Sequence, residues 1–303
     1  MTELTEFQQK MSAFLPEIEL RMEESMARHT SFRIGGNAEV MAFPRNAEEL
    51  AQLLKTSALL DCKCAILGAG TNVLAPDEGI RGLVICLKDG LDGIELLTEN
   101  RIRVMAGVTM TRAAVFAAGK GLAGMEFAHG IPGSVGGGVY MNAGAYGGEL
   151  RQIVESVEVM SLDGVLRTVS NAEMDFSYRH SVLEDSGEIV VSVIFRLTPD
   201  ESEAIRERMR QLQAKRSASQ PLDLPSAGSA FKRPVGGYAA ALIDGSGLKG
   251  YQVGGAAIST KHAGFAVNLG GATAEDVKKL LTQVSDKVFE DTGIRLEPEV
   301  RIW

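Results

Sequence analysis

The stretch His129–Gly147, HGIPGSVGGGVYMNAGAYG, holds seven glycines in nineteen residues, and Gly148 follows it directly. Average usage, at about 7% glycine, would put one or two there. Glycine weakens any helix or strand that contains it, so this density signals a loop of unusual backbone conformations, or one that something approaches closely. Pro132 and the small residues Ser134, Ala143 and Ala145 keep the loop ordered and low in profile. Such a backbone can aim successive N–H groups at one point, which suits the oxygens of a pyrophosphate. Taken alone, the stretch also reads as a plain succession of turns.

A shorter turn of the same kind, GAGTN (68–72), follows the apolar segment CKCAIL (62–67). It is not the usual dinucleotide fingerprint. The third glycine of that motif would fall at Val73, and Pro76 sits where its helix should be running. The turn still offers main-chain donors without such a helix behind it.

Between and around these loops the pattern alternates helix and strand. Residues 1–28 read as a leading helix, and AEVMAFP (38–44) as a strand. Asn46 caps a helix with Glu49 three residues on and Leu50, Leu53 and Leu54 along one face. CKCAIL, LVICL (83–87) and IRVMAG (102–107) are strands, and Thr109 opens a helix to about Lys120. VESVEVMSLDGVLRTVS (154–170) reads as a hairpin turning at Asp163-Gly164, and GEIVVSVIFRL (187–197) as a strong strand. Near residue 199 the texture changes to a charged helix (201–219) and the loop SQPLDLPSAG. Beyond it come a short helix after Gly237, strands near 251–258 and 264–269, and an amphipathic helix. That helix is capped by Thr273 and Asp276 and faces the core with Val277, Leu280, Leu281, Val284 and Val288. LEPEVRIW closes the chain as a last strand. The expected organisation is a helical segment (1–28), a domain over 29–199 and a second over 200–303.

Composition narrows the class. A chain of 303 residues with 45% hydrophobic and 23% charged residues supports two or three cored globular domains. A formal net charge of −8 argues against nucleic acid as a default partner, so an anionic ligand needs local basic clusters. The N-terminus carries acids where a signal peptide carries lysines, and no apolar run approaches membrane-spanning length; the expectation is a cytoplasmic protein. Cys62, Cys64 and Cys86 show no metal-ligand spacing with each other or with histidine and read as buried thiols; no metal is expected.

The basic and polar motifs each carry two local readings. In FSYRHS (176–181), Arg179 beside Tyr178 is either a solvated residue or a planar fork for a carboxylate. In SAGSAFKRP (226–234), Ser226 and Ser229 are turn residues or one is a proton donor. No base lies at a spacing that would activate a nucleophile. Lys232 and Arg233 follow it, and Lys249, Lys261 and His262 lie among glycines further on, as solvated residues or as phosphate contacts. In LEPEVR (296–301), Glu297, Glu299 and Arg301 would share one face of a strand, as a salt-bridged edge or as part of a site.

Nine segments in order cover nearly the whole chain from residue 29: TSFRIGG (30–36), GAGTN, EFAHGIPGSVGG (126–137), MNAGAYG (141–147), SYRHS, GSAFKRP, GLKGYQVGGA (247–256), KHAGFAVN (261–268) and LEPEVR. Together they resemble the UDP-N-acetylenolpyruvoylglucosamine reductase family of bacterial peptidoglycan precursor synthesis, in its shorter subgroup that lacks an extra tyrosine-bearing loop. The resemblance implies an α+β fold: an FAD-binding domain of the vanillyl-alcohol-oxidase type in two subdomains, then an α+β substrate-binding domain whose last strand (296–303) returns to the active site. It implies non-covalent FAD held by Gly68, Ala69, Gly70, Thr71, Asn72, Gly130, Ile131, Pro132, Gly133, Ser134, Gly136, Gly137, Asn142, Ala143 and Gly144.

The implied reaction passes hydride from NADPH to FAD and then to the vinyl carbon of UDP-N-acetylglucosamine enolpyruvate, giving UDP-N-acetylmuramate. Arg179 and Glu299 would bind and polarise the substrate carboxylate, and Ser229 would protonate the α-carbon. A carboxyl at Glu299 beside an anionic substrate implies a neutral or shared proton. Tyr178, Lys232, Arg233, Lys249, Lys261 and His262 are the implied substrate contacts, and no obligate protein partner is implied. The chain departs from the family pattern at Arg233, where asparagine is usual, and at Gly264, in KHAGF for KHANF. At His129 a smaller residue is frequent. The alternatives are another FAD oxidase of the superfamily, acting on an alcohol or sugar, and a non-catalytic sugar-nucleotide binder.

Overall fold

The computed structural model describes residues 4–88 and 90–303, and these form two compact units interleaved along the chain. The first unit combines the chain up to Met22 with Glu39–Ala69 and Arg81–Lys215. The second combines Glu23–Ala38, Gly70–Ile80 and Arg216–Trp303.

In the first unit, the leading helix expected over 1–28 is confined to Glu6–Phe14, closed at its start by a capping box between Thr5 and Gln8. Pro16 follows, and Glu19–Ser25 is a strand in which exposed Glu19, Arg21 and Glu23 alternate with half-buried Leu20 and Met22. The strands Glu19–Ser25, Asn37–Phe43, Ile80–Cys86 and Cys64–Leu67 lie side by side in that order, the last two parallel. Helix Ala47–Leu59 begins where Asn46 accepts the Glu49 N–H, and it buries Leu50, Leu53 and Leu54. A five-stranded antiparallel sheet follows the order Leu166–Ser170, Val154–Met160, Ile189–Arg196, Arg101–Met105, Ile94–Thr98. Its hairpin turns through Asp163-Gly164 as the sequence indicates, with the Gly164 N–H on the Ser161 carbonyl. Leu50, Ile85, Val104, Val139, Val157 and Phe195 belong to one continuous core.

Two further expectations fail in this unit. The glycine-rich stretch is not loop throughout: Val135–Tyr140 is a helix, capped by Ser134, whose side chain accepts the Gly137 N–H. Packing allows it, because Gly136 and Gly138 bring the helix backbone against Ala106 and Met110. Of the cysteines, only Cys86 is fully buried; Cys62 precedes the strand and, like Cys64, is half-buried. Burial and the adjacent Cys62 push the Cys64 thiol up to about 12.

The second unit builds a sheet in the order Ser226–Ser229, Phe265–Asn268, Ala256–Ile258, Gln252–Val253, with antiparallel pairing throughout. Helix Ala274–Thr292 packs Val277, Leu280, Leu281, Val284 and Val288 into its core and ends at Gly293 in the left-handed conformation. At its start the Thr273–Asp276 capping box is joined by Asp77, whose two carboxylate oxygens accept the N–H groups of Ala274 (2.7 Å) and Glu275 (3.1 Å). The terminal strand is shorter than expected. Only Arg301–Ile302 pairs, parallel to Val73–Leu74, because Pro298 interrupts the segment with a lone bridge to Phe231. The period-two face also fails: Glu299 is buried at 8% exposure while Glu297 is open to solvent. No helix among the described residues is long and apolar enough to cross a membrane.

Candidate functional site

Within the first unit Gly68, at the start of GAGTN, meets the longer glycine-rich stretch. A Cβ on Gly68 would stand 2.6 Å from Ser134 Oγ, so only glycine lets the 68–69 backbone lie this close to the Ser134 cap. Across the 129–137 loop the amides divide into two sets. Those of Gly130, Ile131, Gly136 and Gly137 are spent on Thr111 Oγ1, the Ala128 carbonyl, the Ala106 carbonyl and Ser134 Oγ. Among the described residues, the N–H groups of Gly68, Ala69, Gly133 and Ser134 donate to no protein acceptor. A cradle too tight for side chains, with uncommitted neutral donors, fits the pyrophosphate of FAD. As the failed fingerprint implied, no helix follows GAGTN; the chain runs into the short strand Val73–Leu74.

Arg179 also belongs to this unit. It occupies the third position of a tight turn, with the Ser177 N–H on the His180 carbonyl (3.2 Å) and the His180 N–H on the Ser177 carbonyl (3.3 Å). Its φ of +58° is left-handed, which costs a side-chain-bearing residue roughly 1–2 kcal/mol. The turn is held from outside. The Ser181 hydroxyl donates to the Tyr140 carbonyl (2.7 Å), the His180 ring contacts Glu184 (3.2 Å), and the Asn142 amide donates to the Ser177 carbonyl (3.0 Å). Tyr178 is half-exposed, with the Arg179 guanidinium 5.3 Å from its ring centre. Ala143 and Gly144 lie just past the helix, where the Ala143 carbonyl accepts the Leu150 N–H and Gly144 pairs with Glu149.

In the second unit Ser229 and Glu299 come together. Ser229 ends the strand Ser226–Ser229 opposite Phe265, and the next residue, Ala230, accepts the Glu299 N–H at 2.9 Å. On its other side the Glu299 carbonyl accepts the Asn72 side-chain amide (3.1 Å), and the Asn72 carbonyl accepts the Arg301 N–H (3.0 Å). A buried carboxyl is thus fixed from two flanking segments, one of them the GTN half of the GAGTN turn. A Cβ on Gly70 would fall 1.9 Å from the His29 carbonyl, and its φ is +63°, so the turn accepts nothing larger. Ser31, in TSFRIGG, donates to the Ser226 carbonyl at 2.6 Å. Neither Ser31 nor Asp77 stood out in the sequence, because their partners lie about two hundred residues away in the chain.

The basic residues of this unit are largely committed. The ammonium groups of Lys232, Lys249 and Lys261 hold Glu297, Asp244 and the Ser217 carbonyl, and Arg233 stacks on Tyr238 at 4.4 Å. His262 Nδ1 accepts the Gly264 N–H (3.1 Å), and its ring meets Phe265 edge-on. Burial lowers the His262 pKa. A Cβ at 264 would come within 3.0 Å of that ring, which gives the glycine departure a local reason.

Comparison with known proteins agrees with this geometry. Residues 38–170 match an FAD-binding domain family, and residues 220–303 match the family described as the C-terminal domain of UDP-N-acetylenolpyruvoylglucosamine reductase. The chain is 44% identical to the UDP-N-acetylenolpyruvoylglucosamine reductase of Agathobacter rectalis, covering 98% of both chains. It is 46% identical to that of Lactobacillus helveticus, covering 94% of this chain and 95% of the relative. The crystal structure of the same-named reductase from Thermus caldophilus superposes with a TM-score of 0.80 at 36% identity, over 95% of this chain and 99% of the other. An FAD-binding α+β domain followed by the reductase's C-terminal domain is the fold class, as the sequence indicated. The chain belongs to the UDP-N-acetylenolpyruvoylglucosamine reductase family.

Proposed function

We propose that this chain reduces the enolpyruvyl ether of UDP-N-acetylglucosamine enolpyruvate to UDP-N-acetylmuramate with NADPH as reductant. The supporting observation is the pairing of Ser229 with a buried Glu299 through Ala230, in the region matched by the reductase C-terminal domain. The amides of Gly68, Ala69, Gly133 and Ser134 would hold FAD, which when bound would supply hydride-carrying chemistry between NADPH and a carbon centre.

The net change adds hydride to the vinyl β-carbon and a proton to the α-carbon, while NADPH becomes NADP⁺. Charge that builds on the α-carbon spreads into the adjoining carboxylate. The residues of this chain act on that charge. The Arg179 fork binds the carboxylate in a bidentate manner, the Glu299 carboxyl orients it, and the Ser229 hydroxyl delivers the proton to the α-carbon. A serine is a weak acid, but a carbanionic centre is basic enough to take its proton at a dry site. Tyr178, Lys232, Arg233, Lys249, Lys261 and His262 serve the rest of the UDP-sugar in this reading, which also makes the enzyme cytoplasmic and independent of a protein partner.

The test follows the visible spectrum of the purified protein without oxygen. A flavin spectrum that bleaches with NADPH and returns on adding the enolpyruvyl UDP-sugar supports the proposal. A protein that stays bleached with that substrate and recovers only in air would be an oxidase instead, and one that binds UDP-sugar without flavin would be a binder.

A further inference from the structure

Asn142, read from the sequence as a flavin contact, spends its side chain on protein groups. Its amide nitrogen donates to the Ser177 carbonyl and to Glu149 Oε2, both at 3.0 Å, and its Oδ1 accepts the Arg151 N–H at 3.0 Å. Those bonds use both of its N–H groups and occupy its carbonyl oxygen. The residue is 1% exposed and left-handed at φ +44°, a conformation that asparagine adopts more readily than most residues.

The three partners are not equivalent. Glu149 pairs with Gly144 across a two-stranded ribbon, and Arg151 lies in the single helical turn after it, so these bonds fix Asn142 to the end of the glycine-rich stretch. Ser177 belongs to a different segment, and its carbonyl is the group that also closes the Arg179 turn. Arg179 sits left-handed at the corner of that turn, in a conformation its own residue type disfavours. Such a conformation persists only where neighbouring contacts over-determine it. Asn142 supplies one of those contacts from the floor of the turn.

We propose that Asn142 is a positioning residue: it grips the Ser177 carbonyl and so holds the turn that sets the direction of the Arg179 guanidinium. The inference rests on the reading of Arg179 as the group that binds the substrate carboxylate. It deepens that reading by assigning the glycine-rich stretch a second duty besides cradling phosphate.

The experiment compares the two half-reactions of the FAD-bound protein by rapid mixing in Asn142→Gly, Asn142→Asp, Arg179→Lys and the double variant Asn142→Gly with Arg179→Lys. Glycine keeps the left-handed backbone but removes all three bonds. Aspartate keeps the shape and the acceptor for Arg151, but withdraws the donors to Ser177 and Glu149 and sets a second carboxyl against Glu149. Both single Asn142 variants should retain bound FAD and be reduced by NADPH within about twofold of the wild-type rate. Both should be reoxidised by the enolpyruvyl UDP-sugar about ten- to a hundredfold more slowly. The double variant should be no slower in that step than Arg179→Lys alone. Lost FAD, equal slowing of both half-reactions, or wild-type reoxidation in Asn142→Asp would overturn the proposal. If Asn142→Gly does not fold, Asn142→Asp decides alone. A normal Arg179→Lys enzyme would overturn the reading of Arg179 itself. A slow Arg179→Lys enzyme with a further, additive loss from Asn142→Gly would overturn only the positioning link.

Discussion

In the proposed reaction the Ser229 hydroxyl has one task, giving a proton to carbon, and that contribution would separate from hydride transfer in time. Ser229→Ala should leave reduction by NADPH close to wild type and slow reoxidation by substrate by roughly 10²–10⁴-fold, the usual worth of a positioned acid. Single-turnover measurement of each half-reaction checks it. His262 makes a second residue-scale prediction. Its pKa is lowered from the ordinary 6.5 because burial disfavours the imidazolium, and its Nδ1 already accepts the Gly264 N–H. The unfolded chain therefore takes up a proton at that position at a higher pH than the folded one. Stability is full above about pH 6.5, falls as the pH drops towards the folded pKa, and levels off below it. Urea midpoints at pH 5 and 7.5 should differ less in His262→Asn, which keeps an acceptor but cannot titrate. An unchanged difference would assign the acid sensitivity to other groups. The motifs mark Arg179, Ser229 and Glu299 as candidates, whereas the left-handed turn at Arg179 has no mark in the sequence. Nothing in SYRHS announces a positive φ; among the contacts that hold the turn, the bond to the Ser177 carbonyl comes from Asn142, 35 residues before Ser177.

Helix starts were the most legible elements, because a cap is a local device. Asn46, Thr109 and Thr273 each accept the N–H three residues on, as their spacing indicates. Strands were harder wherever pairing, not pattern, decides. Ile94–Thr98 is a largely exposed edge strand without a hydrophobic face, and LEPEVR looks alternating yet pairs only at Arg301–Ile302. Asp77 shows the same limit in a cap. It closes helix Ala274–Thr292 from almost two hundred residues away, adding a second carboxylate to the Thr273–Asp276 box visible in sequence. Two charge-assisted bonds at a helix N-terminus favour the native state through both capping and the helix dipole. Asp77→Ala should lower stability by about 1–2 kcal/mol, and Asp77→Asn should recover only part of it, by restoring one acceptor without the charge. Urea unfolding followed by far-ultraviolet circular dichroism distinguishes these cases. Equal stability in all three proteins would mean that the Thr273–Asp276 box alone suffices.

At the scale of the whole molecule, contiguous segments were the natural reading of a change in texture near residue 199, but the chain groups differently. Glu23–Ala38 and Gly70–Ile80 join the C-terminal part through pairings such as Val73 with Arg301, Ser31 with Ser226 and Asp77 with Ala274. Each links residues some two hundred positions apart, a separation at which no sequence window carries a signal. The glycine cradle, by contrast, was legible because its requirement is written in residue type, and it yields a prediction for the protein as a whole. A ligand that binds only the native state at a hundred times its dissociation constant adds about 2.7 kcal/mol. For a chain of this size that raises the melting temperature by roughly 4 °C. Flavin-stripped protein should therefore melt higher when FAD is restored. Gly68→Val should abolish the rise, because its side chain would enter the space beside Ser134 Oγ, only 2.6 Å from where a Cβ would stand. The variant's melting temperature without flavin should fall by no more than displacing the Ser134 cap costs, about 1 kcal/mol, so the flavin-dependent rise is the readout. A Gly68→Val protein that FAD stabilises as well as the wild type would move the pyrophosphate away from this turn. One that melts far lower even without flavin would instead make Gly68 a packing residue.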